Sequence, residues 1–501
     1  MENTIIRIIE NLLIVYFISY FIIDIILFVI FLITFRPDVK KFEIELSDKD
    51  LFHKTSIIVP AYNEEVSILH CINMLENLDY PDFEIVIVND GSKDNTAGIL
   101  RSSLNLISKS INSDQALNFI KTAVVKSVSA TADGKIIFID KVNGGKADSV
   151  NAGINYSSGE FVCTIDADSI LDRSSLRKIV MPMIIDKRVF VTGGQLAVSN
   201  DTIIENDSIV NFKMPKNIWV IWQITEYIKS FLVSRIGLSK INSLLIMSGA
   251  FSLYRREDLI NVGGFLTSWN DHKYIRQIFP GEKNTVCEDM EIVVRLSRYY
   301  LENNMKGKVV YLPKPLCWTE VPDNPANLFK QRTRWHLGLA ECLFMHSKMF
   351  FDPGYSTTGM IAFPYYFFLE FLAPVIKVIS IIFVLVVGIQ GLINIKWVFL
   401  MILFITITTA LITSLTTVLI EIWSEKQSLR NKDALRYKTA GDWIKLLLFS
   451  ILGDFTFSFF KISAQLKGTV DFFMKKSEWN KFERRGLRKI STQTFKGNFK
   501  L

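Results

Sequence analysis

The sequence predicts an α/β domain on a mostly parallel, doubly wound sheet, with transmembrane helices on its N- and C-terminal sides. Three observations carry this. Between residues 56 and 198, short apolar runs ending in polar or glycine-rich turns alternate with helical patterns, the rhythm of strand–helix–strand units. One long apolar tract precedes this region, and others follow Pro353-Gly354. With 38 Phe among 501 residues and a mean hydropathy of +0.27, the chain is too apolar for an ordinary soluble enzyme.

Asn11 to Phe35 is apolar except for Asp24 and long enough to span a bilayer. It lacks a small-residue cleavage site, so it reads as a retained anchor. Arg36, Lys40 and Lys41 follow it, and the positive-inside rule puts the next region in the cytoplasm. Asp24 within the span calls for a partner or a wet cavity.

Ser56 to Pro60 is a buried strand ending in Ala61-Tyr62-Asn63-Glu64-Glu65, and Val66 to Leu78 is a helix. Phe83 to Val88 is a second strand, ending in Asn89-Asp90-Gly91-Ser92-Lys93-Asp94; Asp94 suits a cap on the next helix. Asp133-Gly134 before Lys135 to Ile139 marks a hairpin or connecting loop. Asn143-Gly144-Gly145-Lys146 opens a helix through Ile154; such a turn can present backbone N–H groups and a lysine to an anion. The spacing of a Walker A motif is absent.

Phe161 to Ile165 is a short buried strand that ends in Asp166-Ala167-Asp168. Ligands of open α/β sheets gather at the carboxyl ends of strands. Two converging carboxylates repel unless a cation sits between them, and hard divalent ions share such ligands with phosphates. The pattern therefore points to a metal–diphosphate site, against the alternative of a solvated loop.

Val189 to Val198, with Gly193-Gly194, is another strand. Ile218 to Leu238 is amphipathic and rich in Trp and Phe, a helix for the membrane surface or for the core. Ser248-Gly249-Ala250-Phe251 would let a ligand or another backbone come close, or pack tightly. Glu288-Asp289 begins a helix to Tyr300, where acidic residues also serve as caps. In a helix from Leu328 to Leu339, Gln331, Arg334 and Trp335 share one face. That face suits a phosphate and a sugar ring, or a basic helix under lipid headgroups.

Ile361 to Ile393, Ile395 to Trp423 and Trp443 to Phe460 are further candidate spans. The basic loop Glu425 to Lys438 should be cytoplasmic. The basic tail (Lys467 to Lys489) is expected there too; a single crossing by the last tract would put it outside, so either that tract is re-entrant or interfacial or the charge rule is overridden. The net charge of +7 collects beside apolar segments, fitting an anionic membrane rather than a nucleic acid. The five cysteines lack C-x-x-C spacing and read as reduced structural thiols.

Taken in order, Val59-Pro60-Ala61-Tyr62-Asn63-Glu64, Asn89-Asp90-Gly91-Ser92, Gly145-Lys146-Ala147 with Asn151, Asp166-Ala167-Asp168, Glu288-Asp289 and Gln331-Arg332-Thr333-Arg334-Trp335 resemble the family 2 glycosyltransferases. Within them the series is similar to the membrane-embedded synthases of poly-N-acetylglucosamine, hyaluronan, chitin and cellulose. The resemblance implies a GT-A type nucleotide-sugar-binding domain. It implies that Tyr62, Glu64 and Asp90 meet the nucleoside, Lys146 the diphosphate, and Asp168 an Mg²⁺ or Mn²⁺ ion, with Asp166 supporting the nucleotide or the geometry of that ligand. Asp289 would be the general base, and Gln331, Arg334 and Trp335 would hold diphosphate and acceptor. Asn89 and Cys287 stand where many relatives carry Asp and Thr; neither change removes a catalytic group.

The expected organisation is an anchor over 1–36, a cytoplasmic catalytic domain over 50–350, a transmembrane region over 360–465 and a basic tail over 466–501. The expected function is inverting, metal-dependent transfer from a UDP-sugar to a growing β-linked polysaccharide at the inner or plasma membrane, with coupled translocation and room for accessory subunits. The alternatives are single-sugar transfer to a lipid acceptor and a non-catalytic scaffold or export subunit. Transfer chemistry fits the residue set on its own terms: cations for the leaving diphosphate and a carboxylate for the acceptor proton.

Overall fold

The structure is a computed structural model that describes residues 2–34, 52–108, 119–205, 208–211, 214–281, 285–392, 394–427 and 439–476. Most of the basic loop and the tail beyond residue 476 lie outside the described residues. The strands in chain order are β1 Thr55–Ala61, β2 Phe83–Asn89, β3 Ile107–Ser108, β4 Val125–Ala130, β5 Ile136–Lys141, β6 Phe161–Ile165, β7 Ile170–Leu171, β8 Val189–Val198, β9 Ile203–Glu205, β10 Ser208–Asn211, β11 Phe251–Arg255 and β12 Lys308–Thr319.

Ten of these form one mixed sheet in the order β3-β4-β5-β2-β1-β6-β11-β8-β12-β7. Its centre, β5-β2-β1-β6, is parallel, as the alternation of apolar runs and helices predicts. Ile57, Ile58, Ile85, Val86, Phe138, Ile139 and Val162 are buried there, and helices cover both faces. The expected hairpin is β4 and β5, turning through Asp133-Gly134. Beyond β6 the sheet changes direction: β11 runs antiparallel to both β6 and β8.

Register decides what meets at the edge. Ala61 pairs with Asn89, Asn89 with Asp140, and Ile58 with Thr164. The loops after β1, β2 and β6 therefore leave the sheet side by side. Phe251 pairs with Ile165, which brings the small-residue stretch before β11 to the same edge. β12 lies parallel to β8, with register shifts around Pro315. A proline cannot donate to the ladder, so the strand slips there and carries on.

The helix expected over Ile218 to Leu238 is a packed element. It runs as Ile218–Glu226, a π-helical stretch Tyr227–Ser234, and Arg235–Lys240. Val220, Ile221, Ile224 and Leu232 are buried. Trp222 stacks on Phe457 at 5.5 Å, and Trp219 meets Phe460 at 4.9 Å. Its last turns pack on the N-terminal helix Glu2–Thr34.

That helix and the Lys396–Thr416 part of helix Ile395–Gln427 are long and apolar enough to cross a membrane. Two bent pairs reach the same length: Thr358–Phe371 with Ala373–Ile389, bent by 45°, and Ala440–Gly453 with Phe457–Phe473, bent by 50°. The second bend falls inside the tract for which a re-entrant or interfacial segment is expected. Asp24 has Lys229 Nζ 3.9 Å away, the kind of partner its place in the span calls for.

Candidate active site

The site is built from strand ends. Asn63 takes a left-handed conformation (φ 54°), and its side chain accepts from Lys93 N at 2.8 Å, while its own N–H reaches Ser92 Oγ at 3.0 Å. The loops after β1 and β2 are thus laced together, presenting Tyr62 and Glu64 beside Asp90. Glu64 Oε2 accepts from Ser67 Oγ at 2.7 Å, fixing that carboxylate near the start of helix Ile68–Glu76.

The glycine turn binds an anion, but the anion belongs to the chain. Gly144 N and Gly145 N each donate to the Asp90 carboxylate at 2.9 Å, and Gly145 takes φ 90° to do so. Asn143 Nδ2 donates to Asp90 O at 2.8 Å, and Lys141 Nζ reaches Asp90 Oδ1 at 2.5 Å. Lys141 is fully buried and also contacts Asp148 Oδ2 at 2.6 Å. The turn thus presents its N–H groups to an anion, as expected, and that anion is Asp90. Lys146, first residue of helix Lys146–Tyr156, projects into the cavity.

Lys146 Nζ lies 2.5 Å from Asp166 Oδ1, 3.8 Å from Glu288 Oε1 and 3.4 Å from Gly249 O. Burial pushes this ammonium down, yet Asp166, Glu288 and Asp289 outweigh it and hold its pKa above the usual lysine value. Burial, with Asp289 alongside, raises Glu288 above the usual carboxylate range despite Lys146. Asp289 Oδ2 accepts from Gly249 N at 3.2 Å and Oδ1 from Met290 N at 2.9 Å. A Cβ on Gly249 would sit 3.0 Å from Lys146 Nζ and 3.4 Å from Asp289 Cβ, so the small-residue stretch serves a close approach.

Gln331, Arg334 and Trp335 come from helix Pro325–Met345. Helix Glu288–Glu302 meets it where Cys287 Sγ lies 3.9 Å from Arg334 O and Val286 N donates to Glu341 Oε2 at 2.9 Å. One cavity is lined by Tyr62, Glu64, Asp90, Lys146, Asp166, Asp168, Asp289, Gln331, Arg334 and Trp335. Every residue given a substrate, metal or catalytic role in the sequence therefore lines this cavity, whereas Asn151 of the same motif series is buried against the Phe265 backbone.

The signature of "Glycosyl transferase family 2" matches residues 56–263, and that of "Glycosyl transferase family group 2" matches residues 161–413, just over half of the chain. The chain belongs to the family 2 glycosyltransferases. It is similar to the poly-beta-1,6-N-acetyl-D-glucosamine synthase of Staphylococcus epidermidis, 28% identical over 289 residues, which are 58% of this chain and 55% of that one. The match thus spans about half the length of that synthase. The probable glycosyltransferase YdaM of Bacillus subtilis is 23% identical over 442 residues, 85% of this chain and 88% of that one. The mannosyltransferase PcManGT of Pyrobaculum calidifontis, solved with GDP-Man and Mn²⁺, matches in fold with a TM-score of 0.51 at 14% identity, over 94% of this chain and 100% of that one.

Carboxylate oxygens at a strand end are ligands of the kind a hard divalent cation takes. Among the described residues no cluster of three or more His, Cys, Asp or Glu would hold an ion by itself. Asp168, with Asp166 beside it, supplies carboxylate oxygens at the strand end. A cation there would draw its other ligands from a diphosphate and water, as Mg²⁺ commonly does. Burial, with Asp289 alongside, holds the Cys287 thiol well above its usual pKa, which disfavours the thiolate.

Glu320 and Tyr227 are among the lining residues that the sequence did not single out. Glu320 follows β12, a strand disguised by Pro313 and Pro315; the apolar run Leu316-Cys317-Trp318 ending in Thr319-Glu320 is the signal that could have found it. Tyr227 opens the π-helical stretch, which no sequence pattern marks.

Proposed function

We propose that this enzyme transfers a sugar from a UDP-sugar, with inversion, to the end of a growing β-linked polysaccharide of the poly-N-acetylglucosamine kind. The observation that carries it is the adjacency of two cavities. The catalytic one and a second one among the apolar helices share Trp335. The second is lined by Trp222, Phe231, Phe457, Thr225, Ser450, Ser458 and Gln465 among others, a mix of aromatic faces and small hydrogen-bonding groups that suits a sugar chain.

In this reading Tyr62, Glu64 and Asp90 form the nucleoside end of the site. Asp168 holds Mg²⁺ or Mn²⁺, which neutralises the departing diphosphate when bound. The PcManGT structure, with its Mn²⁺, supports that choice of ion. Asp166 fixes Lys146, whose ammonium faces the same developing charge, and Arg334 adds a second cation. Asp289, held by the Gly249 and Met290 N–H groups, takes the proton of the acceptor hydroxyl as its oxygen attacks the donor's anomeric carbon and UDP departs. Trp335 stacks on the acceptor ring. The catalytic domain faces the cytoplasm, several helices cross the inner or plasma membrane, and the product leaves through the second cavity.

Purified full-length protein with a panel of UDP-sugars and Mg²⁺ or Mn²⁺, scored by UDP release and product mass, tests this. UDP-N-acetylglucosamine should give a ladder of products, and EDTA should stop it. A product with one added sugar on lipid would replace the polymer reading; absence of UDP release with every donor would remove the catalytic one.

A further inference from the structure

Arg332 occupies the first unspecified position of Q-x-x-R-W, yet its guanidinium makes the tightest set of contacts on that turn. It is 4% exposed. Its Nη1 donates to Gln331 Oε1 at 2.8 Å, its Nη2 reaches Glu226 Oε2 at 2.5 Å, and its Cζ lies 4.1 Å over the Trp335 ring. The other Glu226 oxygen faces Lys461 Nζ at 3.2 Å, on helix Phe457–Phe473. Glu226 directly precedes Tyr227, a lining residue of the catalytic cavity.

We propose that Arg332 is a positioning residue for acceptor binding: it orients the Gln331 amide and the Trp335 ring, and is itself held by Glu226 and Lys461 against the C-terminal helices. A planar guanidinium can bond to two partners in its plane while stacking on a ring with its face. With Oε1 engaged by Arg332, the Gln331 amide offers the cavity its N–H pair, a donor for hydroxyl or carbonyl oxygens of a sugar. Trp335, clamped on one side by the cation, keeps its ring at the junction of the two cavities. Glu226 links this turn to helix Ile218–Glu226 on one side and to the bent C-terminal pair on the other, so a shift in those helices reaches the acceptor ring through one ion-paired carboxylate. A lysine at 332 could still pair with Glu226, but a single ammonium lacks the planar fork that serves Gln331 and Trp335 as well.

The inference rests on the reading that Gln331 and Trp335 hold the acceptor. The test compares wild-type protein with Arg332→Lys and Glu226→Gln in lipid nanodiscs, measuring thermal midpoint, KM for the UDP-sugar, KM for an oligosaccharide primer and product length. Arg332→Lys should keep the midpoint and the donor KM, while the primer KM rises about tenfold and products shorten. Glu226→Gln should move the same two acceptor readouts in the same direction. A lysine variant with wild-type primer KM and product length overturns the proposal, because an ion pair alone then suffices. Equal losses for donor and primer together with a lowered midpoint also overturn it, leaving Arg332 a role in folding only. Should the wild type extend no glycan primer, the polymer reading falls on that control, and the KM for whichever acceptor is used decides the role of Arg332 on the same variants.

Discussion

Arg295→Met should destabilise the catalytic domain by about 3 kcal/mol at neutral pH. Arg295 and Glu291 lie one turn apart on the helix that begins at Glu288-Asp289, and both are 0% exposed. The pair is bidentate: Nε to Oε1 and Nη2 to Oε2, each at 2.8 Å. Arg295 Nη1 also donates to Val262 O at 2.5 Å, and His346 Nε2 lies 3.4 Å from Glu291 Oε1. Burial alone would raise the Glu291 carboxyl, but Arg295 outweighs it and, with His346, holds its pKa down to about 2. The step from an ordinary 4.5 to about 2 corresponds to about 3 kcal/mol, within the range seen when one partner of a buried pair is removed. A depressed carboxylate stabilises the fold above its unfolded pKa, and that contribution disappears as pH falls towards 2. In the variant the sign reverses, since an uncompensated Glu291 takes up a proton more readily. The deficit against wild type should therefore narrow between about pH 7 and pH 5. Fluorescence-monitored unfolding should show a midpoint lowered by roughly 6–12 °C at pH 7. The surface pair of exposed Arg188 and half-buried Asp186 is the control, and Arg188→Met, which leaves Asp186 its second partner Lys308, should leave the midpoint nearly unchanged. A midpoint for Arg295→Met no lower than that of the control, or a deficit that stays constant across that pH range, would refute the reasoning.

Asp289→Asn should lower turnover by about 10²–10⁴-fold while UDP-sugar affinity, read by calorimetry, stays close to wild type; unchanged UDP release would remove Asp289 as the base. Gly249→Ala should cut activity with little change in thermal midpoint, because its methyl group would press on Lys146 and Asp289; wild-type turnover would show that the approach has slack. Lys141→Met should cost about 3–5 kcal/mol, leaving Asp90 and Asp148 buried without their shared cation, and a midpoint equal to wild type would contradict that pairing.

Much of this site could be read from the sequence because of one geometrical regularity. Parallel strands end at one edge, so Tyr62, Asp90 and Asp166, far apart in the chain, had to emerge together once β1, β2 and β6 were recognised. Helical spacing did the same for Gln331, Arg334 and Trp335. What stayed hidden depends on contacts made across the chain. The partner of Gly144 and Gly145 is Asp90, more than fifty residues upstream, and no local pattern announces it. Glu320 was masked because prolines argue against a strand, and β12 tolerates them only by shifting register against β8. What packs against Trp219 and Trp222 at Ile218 to Leu238 has no local signature either, because their partners lie in the last described helices.

The capture of Asp90 by the glycine turn changes how the proposed nucleotide pocket is prepared. Because Lys141, Asn143, Gly144 and Gly145 all close on that one carboxylate, the segment between β5 and helix Lys146–Tyr156 is ordered when the chain folds. Its conformational entropy is lost at that stage and not at the encounter with a donor. In the proposed reading, a nucleotide would meet a wall of the site that already stands in place, with Lys146 at its end aimed before any phosphate arrives.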